Sequence, residues 1–272
     1  MNVTATETLI ASGPVLLDLD GAVARLRLNR PEASNGLDVS LLRALHEAVL
    51  RCHADPRVRA VLLSGEGKHF CAGGDVRTFA SKGERLPEYL REATAWLQAS
   101  AAALMRLDAP VVAMVHGYAA GGGGFGLVCA SDIVVAAESA RFLLGATRVG
   151  MAPDAGVSVT LSRLVGHRRA MEIALTNATL TATEALGIGL ITRVVPDEQL
   201  EEASLALARD LAAGATRALG ATKRLLWDGL GSSVEAQLAD EARTVSELSG
   251  TEDAREGLAA VIERRPPVFR GR

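Results

Sequence analysis

Phe70-Cys71-Ala72-Gly73-Gly74-Asp75 and, further along, His116-Gly117-Tyr118-Ala119-Ala120-Gly121-Gly122-Gly123-Gly124 are the two stretches that decide the fold. Each follows an apolar run of β type, Ala60-Val61-Leu62-Leu63 before the first and Pro110-Val111-Val112-Ala113-Met114-Val115 before the second. Glycine just after a strand lets the backbone turn sharply and removes the side chain that would keep a ligand from the amides. Each turn also leads into a helical pattern. Two such units suggest a pair of backbone N–H donors converging on one oxygen. That arrangement stabilises an oxyanion, and losing one donor typically costs about 100- to 1000-fold in rate.

Outward from these turns, the chain alternates strand and helix. Residues 16–28 read as a hairpin, with Asp20-Gly21 as a type I′ turn and Ala24, Leu26 and Leu28 alternating with Arg25 and Arg27. Leu41, Leu45, Ala48 and Cys52 then share one helical face, with Asp38 or Ser40 near its start. Residues 78–107 are mostly helical, with residues 81–87 reading as a mobile loop. A short helix to about Ala130 and the strand Ile133-Val134-Val135-Ala136 follow the second turn. This repetition predicts an α/β layered fold with parallel pairings. Thr181-Ala182-Thr183-Glu184 is a capping box opening a helix that Gly187 or Gly189 ends. Helical periodicity fills residues 197–264, and Pro266-Pro267 stops it. The expected organisation is a flexible N-terminus over residues 1–13, an α/β core over 14–195 and a helical C-terminal subdomain over 196–272.

With 272 residues, 49% of them hydrophobic, the chain can bury a large core. A net charge of −3 with only 3% aromatic residues argues against a nucleic-acid partner, which needs a basic stripe or stacking platforms. Cys52, Cys71 and Cys129 cannot all pair and show no metal-type spacing, so neither a disulfide framework nor a metal site is expected. Cys71 reads as a small buried residue rather than a nucleophile. No basic and apolar leader and no run of 18 apolar residues is present, so a cytoplasmic, membrane-free protein is expected. Gly121-x-Gly123-x-x-Gly126, with Glu138 beyond, formally matches a dinucleotide fingerprint. Residues 116–120 separate its first glycine from strand 110–115, and the following helix is short, so no nicotinamide or flavin is expected.

The chain resembles the crotonase superfamily, also called the enoyl-CoA hydratase/isomerase family. The resemblance rests on Leu28-Asn29-Arg30-Pro31 with Asn35, residues 65–75, Gly117-Tyr118-Ala119-Ala120-Gly121-Gly122-Gly123, Ser131-Asp132-Ile133, residues 150–156 and residues 185–191. It implies a spiral of ββα units and a homotrimer or a homohexamer of two trimers. It also implies acyl-CoA substrates, with coenzyme A entering only as part of the thioester and no separate cofactor. By position, the oxyanion donors would be the N–H groups of Gly74 and Gly122. The coenzyme A contacts would fall near Ala33, Ser34, Ala72, Asp75 and Val76, with the Asp75 side chain fixing the loop.

The chain departs from the hydratases of the family, which use two glutamates to activate water. Phe125 and Ala146 stand at those positions, and no Asp or Glu occurs between Gly117 and Ala130 or between Glu138 and Asp154. Asp154 remains, in Pro153-Asp154-Ala155-Gly156, a segment that resembles the isomerase branch, including ring-opening isomerases of phenylacetate breakdown. One carboxylate suffices for a 1,3-proton shift; alternatively Asp154 caps the helix that follows. Phe125, Leu143 and Leu144 would make the acyl pocket apolar. Arg148 would pair with Asp154 or a substrate carboxylate, or point to solvent. His69 and His116 read as solvated or structural, and Arg264, Arg265 and Arg270 as a basic tail or coenzyme A contacts. The expected activity is an enoyl-CoA isomerase, with a hydratase using atypical acid/base groups, or a non-catalytic acyl-CoA-binding protein, as alternatives. The C-terminal helices would close the pocket of a neighbouring subunit.

Overall fold

The computed structural model describes residues 6–272. Seven strands form the main sheet in the order β1 (Glu7–Ile10), β2 (Val15–Asp20), β3 (Val23–Leu28), β4 (Ala60–Gly65), β5 (Val111–Val115), β7 (Ile133–Ala137) and β10 (Arg193–Val195). A second sheet of three short strands, β6 (Tyr118–Ala120), β8 (Arg141–Leu143) and β9 (Thr179–Thr181), stands apart from it. From β3 to β10 the main-sheet pairs are parallel. Such a sheet is covered on its faces, so its strands read as near-continuous apolar runs, as the fully buried Ala60, Val61, Leu62 and Leu63 do.

Helices α1 (Val39–Ala54), α3 (Leu86–Arg106), α4 (Gly121–Cys129) and α8 (Leu200–Ala213) include those that supply the covering layers. Asp38 caps α1 by accepting a hydrogen bond from the Leu41 amide at 2.8 Å, and Leu41, Leu45, Ala48 and Cys52 are its buried face, as their spacing predicts. The short α2 (Val76–Ala80) is capped by Asp75. Beyond the second sheet come α5 (Val157–Val165), α6 (His167–Thr176) and α7 (Ala182–Gly187), the last opened by the capping box of Thr181 and Glu184. After β10 every regular element is helical, ending with α9 (Thr216–Gly229), α10 (Val234–Ser249) and α11 (Glu252–Glu263).

Lys223 ties α9 to the core. Its ammonium lies 2.7 Å from Asp132 Oδ2, which also accepts the Val111 amide, and 3.2 Å from the Leu104 carbonyl. Burial pushes Asp132 up and Lys223 down from their ordinary values, against the mutual attraction of the pair. Residues 266–272 fold back, with the Arg270 and Gly271 amides donating to the buried Asp253 carboxylate.

Four expectations need correction. Residues 7–10 are not a flexible terminus but strand β1 paired antiparallel with β2; the part of that expectation covering residues 1–5 lies outside the described residues. Asp20 pairs with Val23, so the hairpin loop is Gly21-Ala22, with a left-handed backbone at Gly21 alone rather than at two successive residues. The loop expected over residues 81–87 contains a 3-10 turn, Gly83–Arg85, and Pro87 sits in the first turn of α3, where its missing N–H costs nothing. The second glycine turn is entered from β6 rather than directly from β5. Among the described residues no helix is long and apolar enough to cross a membrane.

Candidate active site

The two glycine turns meet face to face. A Cβ on Gly73 would lie 2.7 Å from the Ala120 carbonyl and 2.7 Å from Gly121 Cα, and one on Gly121 would lie 2.8 Å from Gly73 Cα. Both residues also have positive φ, 92° and 66°, so only glycine meets the steric and the conformational demand together. The flanking backbone zips the turns, with the Cys71 amide donating to the Tyr118 carbonyl at 3.0 Å and the Ala120 amide to the Cys71 carbonyl at 2.8 Å.

Two amides at this junction lack an acceptor among the described residues. Leu37 pairs with the first turn through its amide to the Gly73 carbonyl at 2.7 Å and its carbonyl from the Asp75 amide at 3.0 Å. The intervening Gly74 N–H therefore turns to the opposite side, toward Gly121, whose Cβ would come 3.4 Å from Gly74 N. Gly122 is the second residue of α4, where first-turn amides have no intrahelical partner, and Ala120 supplies no side-chain cap.

Both glycines line a cavity of about 390 Å³. Its walls come from Leu37, Ala72, Val76 and Phe79, from Leu143, Ala146, Val149 and Met151 at and after β8, and from Leu90, Ala93, Thr94 and Leu97 of α3. Among the described residues, Asp154 and Arg148 are the only ionisable side chains in the lining. The Asp154 carboxylate lies directly over Gly122, such that a Cβ on that glycine would overlap Oδ1. Burial raises Asp154 above the ordinary carboxylate value, opposed only in part by its own backbone amide. Asp154 does not cap α5, which begins after Gly156 without a side-chain cap. The Asp154 main-chain carbonyl, not its carboxylate, accepts the Val157 amide.

The other predicted residues divide. Ala72 and Val76 are in the wall, and Ser34 adjoins it through its carbonyl, which accepts the Ala72 amide at 3.0 Å. Ala33 closes the 3-10 turn just before Ser34. Asp75 points away to cap Thr78 and to meet Arg30 at 3.1 Å. Burial alone would raise its pKa, yet the Thr78 amide and hydroxyl together with Arg30 bring it below the ordinary value. Phe125 and Leu144 are corrections: both are buried in the core and outside the cavity wall. Side chains alternate along β8, so Leu143 reaches the cavity while Phe142 and Leu144 turn inward.

Arg148 donates to the Asn177 carbonyl at the C-terminus of α6, at 2.8 Å, and does not pair with Asp154. A cation there complements the helix dipole. His116 contacts the Gly67 carbonyl at 2.9 Å, and His69 Nδ1 accepts the Tyr118 amide at 3.2 Å, so both histidines brace the turns. Cys71 is fully buried, its thiol donating to the Asn35 carbonyl at 3.2 Å, and burial pushes it up to about 12, far from a thiolate. Arg265 is taken by Glu256 and Glu263. The α3 wall was missed, although Leu90, Ala93, Thr94 and Leu97 recur at helical spacing and could have been read as a stripe.

A sequence model described as enoyl-CoA hydratase/isomerase matches residues 18–272. The chain belongs to the enoyl-CoA hydratase/isomerase family. A Rhodobacter capsulatus protein named probable enoyl-CoA hydratase is 40% identical over 255 residues, covering 94% of this chain and 97% of the relative. The 1,2-epoxyphenylacetyl-CoA isomerase of Escherichia coli is 34% identical over 261 residues, covering 95% and 98%. The crystal structure of an enoyl-CoA hydratase from Polaromonas sp. JS666 superposes with a TM-score of 0.90 at 30% identity, covering 95% of this chain and all of that one. As a member of the enoyl-CoA hydratase/isomerase family with the crotonase fold, this chain is an acyl-CoA enzyme.

Proposed function

We propose that this protein is an enoyl-CoA isomerase, shifting a double bond or isomerising a ring through a thioester enolate. The Gly74 and Gly122 amides would donate to the thioester oxygen as negative charge develops there. The Asp154 carboxylate would take a proton from the carbon next to the thioester carbonyl, leaving a dienolate. It would return that proton two carbons further along, so the double bond moves and no water is consumed. The observation that carries this reading is one carboxylate, unpaired among the described residues, against an oxyanion donor, while neither hydratase glutamate position, Phe125 or Ala146, carries an acid. Ala72, Val76 and the adjoining Ala33-Ser34 segment would take the coenzyme A portion, and Phe79, Leu97 and Leu143 the acyl group. We also propose a homotrimer or a hexamer of two trimers.

The test assays 3-enoyl-CoA thioesters, and 1,2-epoxyphenylacetyl-CoA as named for the Escherichia coli relative, with wild type and Asp154→Asn. Turnover by wild type with at least about a 100-fold loss in the variant is expected, the ordinary weight of a general base. Equal turnover by both proteins sinks the proton-transfer role. A hydratase reading has the name of the Rhodobacter capsulatus relative in its favour. Rapid formation of 3-hydroxyacyl-CoA from crotonyl-CoA in ¹⁸O-labelled water would decide for it.

A further inference from the structure

The Gly74 amide can serve as a donor only if its peptide is held in one orientation, and glycine supplies no side chain to hold it. The restraint comes from outside the turn. Arg30 is four-fifths buried, and its guanidinium donates to the Gly36 carbonyl at 2.6 Å. The same group lies 3.0 Å from Asp38 Oδ2 and 3.1 Å from Asp75 Oδ2. Gly36 and Asp38 flank Leu37, and Asp75 follows Gly74. Leu37 and Gly74 are the two residues of a parallel bridge that nothing extends into a longer ladder. Two hydrogen bonds alone hold that bridge, and Arg30 grips chain on both sides of it.

Each carboxylate has a second fixed duty. Asp38 Oδ1 accepts the Leu41 amide at the start of α1, and Asp75 Oδ1 accepts the Thr78 amide at 3.0 Å at the start of α2. The guanidinium therefore joins two helix starts to the bridge between them. Its planar fork, with several donors in fixed directions, suits a three-acceptor junction that a lysine ammonium would not reproduce. Arg30 does not line the cavity, so it acts through Gly74 rather than on substrate.

We propose that Arg30 is a positioning residue, which, through Gly36, Asp38 and Asp75, sets the direction of the Gly74 N–H toward the thioester oxygen. The proposal rests on the oxyanion role assigned to Gly74 above. The readout is the infrared C=O stretch of butyryl-CoA carrying ¹³C at the carbonyl, a saturated thioester with no double bond to move, bound to the whole protein. Hydrogen bonds from an oxyanion site lower that frequency.

Wild type is expected to show the downshift. Arg30→Gln is expected to lose half of it or more, with kcat falling about 10- to 100-fold and KM within threefold, as for a misaimed donor. Arg30→Lys should recover part of the shift. Asp75→Asn, which keeps the cap of α2, should lose part of it and serves where Arg30→Gln does not fold. Arg57→Gln breaks ion pairs with Asp55 and Glu7 at the end of α1 opposite Asp38 and should leave the shift intact. A full downshift in Arg30→Gln, or in Asp75→Asn where that variant stands in, overturns the proposal, as does an equal loss in Arg57→Gln. No downshift in wild type is a separate failure, overturning the oxyanion role itself and this proposal with it.

Discussion

Asp154 is half-buried, with no ion-pair partner among the described residues, and burial lifts its pKa above 3.8. A base must be ionised to work, so kcat/KM should fall as pH drops through this raised value. The acid limb should lie at higher pH than for an exposed carboxylate, and Asp154→Asn should remove it. Stability runs the other way. Between the unfolded and the raised folded value the native state binds more protons, so this group's contribution is fully present below the unfolded pKa and is lost as pH rises through the folded one. Asp154→Asn should therefore unfold at equal or higher denaturant concentration than wild type at neutral pH while losing activity. A pH–rate profile and a urea titration read both; an unchanged acid limb, or a clearly less stable variant, contradicts the account.

At the scale of the element, the first glycine turn hangs on Asn35. Its side chain accepts the Arg30 amide at 2.9 Å and donates toward the carbonyls of Glu66, His69 and Phe70 at 2.9, 2.8 and 3.1 Å. The residue is fully buried with φ 54°, a left-handed backbone that asparagine tolerates better than alanine. Asn35→Ala leaves those groups without their partner at about 1–3 kcal/mol for each buried group, so a total loss of about 3 kcal/mol or more is expected. Thermal melting should drop by about 6 °C or more for a chain of this size; a fall of under about 2 °C would mean that water or relaxation replaces the side chain. The glycine turns and their flanking strands were legible because Gly73, Gly121 and the runs before them carry local signals. Which side of α4 and β8 faces the cavity was not. The resemblance and their apolar character put Phe125 and Leu144 in the wall, but facing depends on register against the neighbouring strands, which no local pattern encodes. Strand β1 was missed for a related reason, since Glu7-Thr8-Leu9-Ile10 becomes a strand only by pairing with β2.

Across the whole molecule, the C-terminal helices divide into two kinds. Helix α8 buries Leu200, Ser204, Leu207, Ala208 and Ala212 against its own sheet. Helix α10 buries no residue at all, and Val234, Leu238 and Val245 stand exposed at spacings of one helical face. On α11, Leu258, Val261 and Ile262 are 66%, 78% and 80% exposed, and Leu226 of α9 is 70% exposed. Scattered exposed apolar residues are ordinary, but stripes on consecutive helices form a patch of the kind that marks an interface. Covering even a few of them with a second copy contributes about 1.5–3 kcal/mol per fully buried side chain, enough for a stable assembly once several are involved. For the proposed trimer or hexamer, sedimentation equilibrium at micromolar concentration should return three or six times the chain mass of 28.4 kDa. The double change Val261→Glu with Ile262→Glu should shift it toward one chain mass, because a carboxylate in an apolar contact must be desolvated without a partner. A single species near 28.4 kDa for wild type would refute the assembly, and an unchanged oligomer in the double variant would place the contact elsewhere on the surface.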